Sequence, residues 1–379
     1  MGTFEPHEDF PAIVIDNGSS TCRAGLAGED IPSCIFSSLV GKRKNLLGED
    51  EFFVGGALQE NRELMALTYP IENGIVVNWE DMMKVWDYVF YSKLSVLTEE
   101  HPILISEPPL NPRGNREKMA QVMFETYRTP AFFLAYQPLM SLFGSFQNEG
   151  IVVTVGDSVT HVVPFTENLS QNHVARRLDF AGRDLTRYLQ QLLFKSNYSF
   201  TSSHELELVR EVKESLCFVA KDRYHLKQLA SATESKCAAT YTLPDGAKVQ
   251  MDSERYLCPE LLFEPDNDFH RGKSIPKLIE STINEVDISC RRNMYSCVII
   301  SGGSTFFPGF TQRLHKELLS LSPPGVHHVR ICAKPERQHL EWIGGSVIAS
   351  LSSFNTSWIS KELYEEYGPN IVCRECLSH

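Results

Sequence analysis

"IVVTVGDSVTH", residues 151–161, decides the fold. Its apolar, β-branched residues predict a strand buried on both faces, and its glycine predicts a tight turn into a second strand. A shorter relative, "IVIDNGSST", occupies residues 13–21. The two glycines, Gly18 and Gly156, stand about one domain length apart in the chain. We therefore expect two related α/β halves, each with a glycine hairpin, and a ligand in the crevice that separates them.

Other segments extend the α/β pattern. "HPILISEPPL", residues 101–110, and "VIISGG", residues 298–303, predict further buried strands. "SSHELELVREVKESLCFVA", residues 202–220, begins with a capping box formed by Ser202 and Glu205. Apolar residues then recur at helical spacing from Leu206 to Val219. Because strands alternate with helices, the chain is predicted to be an α/β protein.

Composition excludes several classes of protein. The 379 residues are 42% hydrophobic and 22% charged, as is ordinary for a globular protein. The net charge of −12 argues against general nucleic-acid binding, and "GKRK", residues 41–44, is a basic patch too short to reverse that. No apolar run approaches the roughly 20 residues that span a bilayer, and the first residues lack a secretory signal. We expect the ten cysteines to be reduced, with Cys373 and Cys376 structural or incidental.

Glycine turns flanked by small hydroxyl residues can expose backbone N–H groups to an anion, particularly a phosphate. Two such turns would hold a polyphosphate from both sides, with Arg23 adding positive charge. Asp16 suits a hydrated Mg²⁺, which needs few protein ligands beside substrate phosphates. Each turn is equally explained as a plain hairpin, and the Gly302–Gly303 pair as a simple strand-to-helix turn. Both readings stay open at this point.

Six blocks carry a resemblance to a known family. They are "YPIENGIVVNWEDM", "LNPRGNREKMAQVMFET", "LDFAGRDLTRYL", "YTLPDGAKV", "SGGSTFFPG" and "WIGGSVIASLSSF". Together they closely resemble actin over essentially the whole chain, and the sequence looks like a divergent actin-related protein. The resemblance implies the two-lobed α/β fold shared with hexokinase and the Hsp70 ATPase. It places the first lobe at residues 1–144 plus 340–379, with residues 38–69 as its distal subdomain. The second lobe is placed at residues 145–339, with residues 181–270 as its distal subdomain.

The resemblance also implies a ligand and its residues. The ligand is ATP or ADP with Mg²⁺ (or Ca²⁺) in the interlobe cleft, where Asp16 holds the metal through water. Gln137 and His161 match residues that position the attacking water. The nucleotide-binding positions are Asp16, Asn17, Gly18, Ser19, Ser20, Arg23, Gly156, Asp157, Ser158, Val159, Gly182, Arg210, Lys213, Glu214, Gly302, Gly303, Ser304, Phe307 and Gln338.

Simpler explanations exist for several of these residues when they are taken alone. Gln137 would be a solvated loop amide, and His161 would be a satisfied core histidine. Lys213 and Glu214 would be ordinary charges on a helix surface. Only the resemblance raises them above these explanations.

One departure from the family bears on hydrolysis. Thr154 stands where actin has Asp, and a hydroxyl cannot polarise water as a carboxylate can. We expect nucleotide binding to be kept and hydrolysis to be slow or absent, so that the protein is at most a slow ATPase. The alternative is that Thr154 merely ends a strand and another carboxylate serves. Arg23 and Gln338 replace lysines and Phe307 replaces a tyrosine, all in or near the same site.

Two further departures bear on polymerisation. The loop that inserts into the neighbouring subunit in actin is shorter here, "NLLGEDE", residues 45–51, and ends in acidic residues. The segment matching actin's hydrophobic plug, "FEPDNDFHRGKSI", residues 263–275, is mostly polar, with Asp266, Asn267, Asp268, His270 and Arg271. Since acidic and polar side chains resist desolvation, we predict poor self-polymerisation.

An apolar run matches the cleft where actin-binding proteins insert helices. It is "WIGGSVIASLSSFNTSWI", residues 342–359, and Ser357 replaces a Met at its rim. We expect a cytoskeletal subunit of a filament end or of a larger complex. Its partners would be actin, other actin-related proteins, and actin-binding or scaffold proteins at that cleft, with no membrane and no sequence-specific nucleic acid. The expected locations are cytoplasm and cytoskeleton, with the nucleus a further one. The alternatives are a conventional polymerising actin ATPase and, without a supporting feature, a small-molecule kinase on this fold.

Overall fold

The computed structural model describes residues 10–45, 47–231, 237–265, 269, 272–326 and 328–376. These residues form two compact units. Unit 1 takes its residues from Met1–Val152, Phe165–His173 and Lys334–His379, and unit 2 from Val153–Pro164 and Val174–Ala333. The lobe and distal-part boundaries given above stay predictions.

The strands of the described residues are short and numerous. They are β1 (Ile13–Asn17), β2 (Thr21–Leu26), β3 (Cys34–Ser37), β4 (Val40–Lys44), β5 (Asp50–Val54), β6 (Ala66–Thr68), β7 (Ile71–Glu72), β8 (Ile75–Val76), β9 (Ile103–Glu107), β10 (Ala131–Tyr136), β11 (Gly150–Val155), β12 (Thr160–Thr166), β13 (Leu169–Ser170), β14 (Arg176–Leu178), β15 (Ala239–Thr242), β16 (Lys248–Met251), β17 (Val298–Ser301), β18 (Ile331–Cys332) and β19 (Ile359–Ser360).

The helices alternate with these strands. They are α1 (Gly56–Asn61), α2 (Trp79–Asp87), α3 (Arg113–Gln121), α4 (Gln137–Gly144), α5 (Gly182–Lys195), α6 (Ser203–Leu216), α7 (Arg223–Ser231), α8 (Glu254–Glu260), α9 (Ile275–Glu285), α10 (Ile288–Ser296), α11 (Phe310–Leu321), α12 (Leu340–Ala349), α13 (Lys361–Tyr367) and α14 (Ile371–Glu375). π-helical turns continue α2 over Tyr88–Leu94 and α3 over Val122–Thr126. In the described ranges, 3₁₀ turns span Arg62–Leu64, Gly303–Thr305 and Ser352–Ser357.

The central sheet of unit 1 has the order β19–β10–β9–β1–β2–β3. β9 is parallel to both β1 and β10, whereas β2 is antiparallel to β1. Alternate residues of β1 face two different apolar clusters, with Ile13 and Ile15 in one and Val14 in the other. β1 is therefore buried on both faces, which confirms the prediction made from its β-branched run.

Helices α4 and α12 cross at very close range in unit 1. A Cβ atom at Gly344 would lie 1.7 Å from the carbonyl oxygen of Met140, and one at Gly144 would lie 2.4 Å from that of Leu340. Trp342, on α12, donates from its indole N–H to the carbonyl oxygen of Val14 at 3.0 Å. Glycine at the crossing thus allows α12 to pack directly against α4, while Trp342 joins α12 to β1.

The second large sheet has the order β13–β12–β11–β17–β18, with β14 also paired to β12. All four residues of β17 are buried, and the turn after β11 leads directly into β12. The two strands predicted within residues 151–161 and the strand predicted within residues 298–303 are thereby confirmed, as β11, the start of β12 and β17. The α/β alternation predicted from the sequence is also present throughout the described chain.

Helix α6 begins as predicted but ends sooner. Ser202 Oγ accepts from the Glu205 backbone N–H, and the Glu205 carboxylate accepts in return from the Ser202 backbone N–H. The helix stops at Leu216, because Cys217 is extended. Val219 is buried but not helical, and its N–H donates to the Pro308 carbonyl oxygen at 2.8 Å. The apolar spacing from Leu206 to Val219 therefore outlasts the helix, and that part of the prediction is wrong.

The short acidic loop is the tip of a closed hairpin. Asp50 and Glu51 belong to β5, where they pair with Lys42 (2.8 Å) and Arg43 (3.1 Å) of β4. The Asn45 side chain accepts from the backbone N–H groups of residues 47 and 49, both at 2.9 Å. The "GKRK" patch is thus partly neutralised by the opposite strand. Leu46 lies outside the described residues, as do Asp266, Asn267, Asp268, His270 and Arg271 of the polar segment.

All ten cysteines are free thiols, as expected, and Cys376 is fully buried, with its Sγ accepting from the Leu134 N–H at 3.3 Å. None of the helices in the described ranges is long and apolar enough to cross a membrane.

Candidate functional site

The first glycine turn joins β1 to β2 in unit 1. A Cβ atom at Gly18 would lie 2.4 Å from the carbonyl oxygen of Thr21, so only glycine fits there. Ser38 donates from Oγ to the Gly18 carbonyl oxygen at 2.8 Å. The Oγ of Ser19 accepts from the backbone N–H of Gly74 at 3.2 Å. These serines hold the turn in one conformation.

Asp16 lies beneath this turn and is almost fully buried. Its Oδ2 accepts from NH1 of Arg23 at 3.1 Å, the residue directly opposite it in the β1–β2 ladder. Its Oδ1 accepts from Ser106 Oγ at 2.8 Å and from Gln137 Nε2 at 3.4 Å. The carboxylate therefore accepts from three donors within unit 1, one of which is a cation.

Gln137 lies at the start of α4, so it is not the solvated loop amide of the simpler explanation. Its Nε2 also donates to Ser106 Oγ at 3.2 Å. The structure thus brings two predicted site residues, Gln137 and Asp16, into direct contact.

Arg23 has a second partner that the sequence did not indicate. Its Nε donates to Nδ1 of His339 at 3.0 Å, and the other ring nitrogen of His339 contacts Gln338 at 2.9 Å. Burial, reinforced by the nearby Arg23 charge, lowers the pKa of His339, which favours the neutral ring that accepts from Arg23. His339 lies 316 residues from Arg23 in the chain, and no local motif signals the contact.

Asn17 carries an unsatisfied donor. Its Oδ1 accepts from the Trp86 indole N–H at 3.2 Å, and its backbone N–H donates to Ser106 Oγ at 3.0 Å. Its Nδ2, however, is buried without a partner. A buried amide donor left unpaired costs free energy, and an anionic oxygen would satisfy it. This atom is one indication of an anionic ligand at the first turn.

The second turn, in unit 2, is fastened to the start of α5. The Gly156 N–H donates to the Val159 carbonyl oxygen at 3.0 Å, and the Gly182 N–H donates to the Gly156 carbonyl oxygen at 3.2 Å. Asp157 accepts through Oδ2 from Nε (2.9 Å) and NH2 (2.8 Å) of Arg183. Like Asp16, Asp157 is a carboxylate already paired with an arginine.

Glycines make close approaches around this turn. Gly302 has φ of +89°, and a Cβ atom there would lie 2.3 Å from the Val155 carbonyl oxygen. Ser304 Oγ donates to the Gly156 carbonyl oxygen at 2.6 Å. A Cβ atom at Gly182 would lie 2.5 Å from Ser304 Oγ, whereas one at Gly303 would meet nothing within 4 Å. The predicted glycines thus converge, beside an open space at Gly303.

Thr154 is the second-last residue of β11 and lies next to Ser301, the last residue of β17. Its Oγ1 lies 2.8 Å from the Oγ of Ser301, within hydrogen-bonding distance. The position supplies a hydroxyl that is already engaged, and it supplies no charge.

His161 lies on β12 directly opposite Arg177 of β14 and is 2% exposed. Burial, with a smaller contribution from Arg177, lowers the pKa of His161 to about 3. The ring is therefore neutral at physiological pH, and its Nε2 is buried without a hydrogen-bond partner. It is not the satisfied core histidine of the simpler explanation.

Lys213 and Glu214 differ sharply in environment. Lys213 is buried, and its Nζ donates to the Gly182 carbonyl oxygen (2.6 Å) and to Thr186 Oγ1 (2.8 Å), joining α6 to the start of α5. Within the described part of the chain no carboxylate pairs with it. Glu214 is exposed and lies 3.8 Å from Arg210. The explanation as an ordinary surface charge therefore holds for Glu214 and is wrong for Lys213.

The remaining predicted residues are scattered in environment. Ser158, Val159 and Phe307 are buried, Ser20 is half-buried and Gln338 is exposed.

An apolar groove of about 270 Å³ is present in unit 1. Burial raises the pKa of Glu107, a lining residue whose carboxylate accepts from Arg116 at 2.9 Å. The lining residues, among them Ser357 of the predicted partner cleft, are Glu107, Phe133, Leu134, Ala135, Tyr136, Leu139, Phe143, Ile348, Leu351, Ser353, Phe354 and Ser357.

The chemistry of the donors favours an anion over a directly coordinated metal. Among the described residues, no group of three or more His, Cys, Asp or Glu side chains is placed to hold a metal ion. Asp16 and Asp157 are each paired with an arginine. The unpaired Asn17 amide in unit 1 can donate to an anionic oxygen.

Comparison with known proteins gives a consistent result. The family model described as Actin matches residues 7–377. An "Actin-like protein" from Neurospora crassa is 44% identical to this chain over 368 residues, covering 95% of this chain and 96% of that relative.

Proposed function

This chain belongs to the actin family, and from that premise we propose that it is an actin-related protein that binds ATP or ADP through its two glycine turns. Membership confirms the predicted fold class, the α/β fold of actin, and actin-family proteins in general bind ATP or ADP with a divalent metal. We assign the phosphates to the turns at Gly18 and Gly156, and adenosine to the surroundings of Gly303 and Phe307.

The observation that carries the proposal is the shape of the second turn. A Cβ atom at Gly302 would lie 2.3 Å from the Val155 carbonyl oxygen, and one at Gly182 would lie 2.5 Å from Ser304 Oγ and 3.2 Å from the Gly156 carbonyl oxygen. Next to them, a Cβ atom at Gly303 would meet nothing within 4 Å. The N–H groups of Gly156 and Gly182 are bonded within the turn. We therefore propose that the phosphate lies against the other backbone N–H groups of the turn, at the open space beside Gly303.

A substitution at Gly303 tests this assignment. Because a Cβ atom there meets nothing within 4 Å, Gly303→Val should fold normally and yet block the nucleotide. The matched control is Gly114→Val on helix α3, where a Cβ atom also meets nothing. We expect ATP binding, measured by calorimetry, to be lost in Gly303→Val and kept in Gly114→Val. Equal affinities in the two variants, at equal thermal stability, would contradict the assignment.

Hydrolysis is proposed to be slow or absent. Thr154 brings a hydroxyl, already engaged by Ser301, where the family pattern has a carboxylate. Loss of one well-placed electrostatic group lowers rates by a factor of ~10²–10³ in other enzymes. Gln137 and the neutral His161 remain as residues that can orient a water molecule.

We further propose that the protein self-polymerises poorly and acts through partners, as a subunit of a filament end or of a larger complex. The hairpin of β4 and β5 is closed by two cross-strand ion pairs, so freeing it to insert into a neighbour would cost those contacts. The partners would be actin, actin-related proteins or their binding proteins, the last at the apolar groove, in the cytoplasm, cytoskeleton or nucleus. Sedimentation and electron microscopy of the pure protein test this, since long filaments would support a conventional actin ATPase instead.

A further inference from the structure

We infer that nucleotide binding by this chain is independent of divalent cations, because Arg23, held by Asp16 and His339, supplies the positive charge beside the phosphates. The inference rests on the proposed function and departs from it in one respect. Actin-family nucleotide binding generally involves a metal, and the residues of this chain do not fit one.

In unit 1 the only predicted metal-associated carboxylate is already satisfied. Asp16 accepts from Arg23, Ser106 and Gln137, leaving one lone-pair direction on Oδ2. A cation or its water shell at that position would lie beside NH1 of Arg23, which is 3.1 Å from the same oxygen. Two like charges beside one carboxylate oxygen, in a site shielded from water, repel each other.

In unit 2 neither Thr154 nor Asp157 offers a free carboxylate to a metal ion. Thr154 is uncharged and its hydroxyl faces Ser301. Asp157 is held through one oxygen by two nitrogens of Arg183. Each unit, taken separately, therefore presents arginine-neutralised carboxylates rather than metal ligands.

Arg23 is well suited to the role of a built-in cation. A Cβ atom built on Gly18 would lie 3.7 Å from its NH1, so the guanidinium lies next to the first turn. Nε and NH1 are engaged by His339 and Asp16, whereas NH2 donates to none of the described residues. The planar fork lets one side chain hold two partners and still offer donors to a phosphate oxygen. A lysine, a single point charge, could not do this in the same way.

His339 is the positioning residue in this arrangement. It fixes the rotation of the Arg23 guanidinium by accepting from Nε. Replacing His339 by Gln keeps an acceptor, while replacing it by Phe keeps the ring and removes the acceptor. The two variants therefore separate positioning from bulk.

The experiment measures ATP affinity of the full chain in excess Mg²⁺ and in excess EDTA, together with the bound metal per bound nucleotide by elemental analysis. We expect the two dissociation constants to agree within about threefold and the bound metal to be far below one per nucleotide. Tight binding in Mg²⁺ that is lost in EDTA, with one metal bound per nucleotide, overturns the inference and leaves the proposed function standing. Absence of ATP binding in both conditions overturns the proposed function itself and the inference with it.

Variants then locate the charge. Arg23→Lys and His339→Phe should each weaken ATP binding in EDTA by about tenfold, the effect of one charge-assisted hydrogen bond. His339→Gln, which keeps an acceptor, should bind ATP in EDTA as tightly as the original protein. Arg128→Lys, at an exposed arginine of the same unit, is the matched control and should change nothing. Circular dichroism without nucleotide checks that each variant folds. Unchanged affinity of folded Arg23→Lys in EDTA would overturn the role of Arg23.

Discussion

Acidification should destabilise this protein through one buried histidine. His161 is 2% exposed on β12 and faces Arg177, and burial lowers its pKa to about 3 from an ordinary 6.5. Between about pH 3 and pH 6.5, the unfolded chain therefore binds a proton on His161 that the folded chain does not. Stability from this residue is complete above about pH 6.5 and is lost progressively as the pH falls toward 3.

The size of the effect follows from the pKa shift. Each pH unit below 6.5 should lower the free energy of unfolding by about 1.4 kcal/mol, which amounts to about 2 kcal/mol at about pH 5. His161→Gln removes the titration while keeping a polar side chain of similar size. The contribution of His161 is then the difference in pH slope of the unfolding free energy between the original protein and this variant.

The assay is urea denaturation without nucleotide at several pH values from about 8 to about 4.5, followed by tryptophan fluorescence. Other groups titrate equally in both proteins, so they cancel in the difference. His173→Gln, which alters an exposed histidine, is the control and should follow the original protein. Identical slopes for the original protein and His161→Gln would refute the reasoning, because the buried ring would then not be held neutral.

Three further changes have defined outcomes. Thr154→Asp should speed single-turnover phosphate release by about 10²-fold, since it restores a carboxylate next to Ser301, and an unchanged rate would mean that another group limits the step. Gly344→Ala should lower the free energy of unfolding by about 3 kcal/mol or more, because its Cβ would lie 1.7 Å from the Met140 carbonyl oxygen; a near-neutral urea midpoint would show that α12 can shift. Ser202→Ala should cost about 1 kcal/mol through loss of the α6 cap, whereas no change in the urea midpoint would show that the cap contributes nothing.

The strands around the two turns could be predicted because local chemistry decides them. β-branched apolar runs such as residues 13–15 and 151–153 are stable only where both faces are buried, and each is followed by a glycine that permits a tight turn. The capping box fixed the beginning of α6 for the same reason, since Ser202 and Glu205 satisfy each other's backbone N–H groups.

The end of α6 could not be predicted in this way. Apolar residues continue at helical spacing to Val219, but the backbone of that segment bonds to distant partners instead. The Phe218 N–H donates to the Arg255 carbonyl oxygen at 3.0 Å and the Val219 N–H to that of Pro308 at 2.8 Å. Tertiary hydrogen bonds overrode a periodicity that the sequence displays only locally.

The candidate site shows the same division. Pairing of Asp16 with Arg23 follows from the hairpin register and was within reach of the sequence, because the two residues lie opposite each other across the turn. The contact of Arg23 with His339 depends on a helix start 316 residues away, so only the folded chain reveals it. The burial of Lys213 was equally hidden, although its position one residue after Val212 placed it beside the apolar stripe.

The most direct test of the account follows ATP bound to the purified full chain through a single turnover. Radiolabelled ATP is added below the protein concentration, and retained nucleotide and released phosphate are measured in the same samples. We predict that the ATP is retained and that phosphate release is about 10²-fold or more slower than in a conventional actin measured alongside. Failure to retain ATP, or phosphate release as fast as in that actin, would contradict the claim that this protein holds its nucleotide without readily cleaving it.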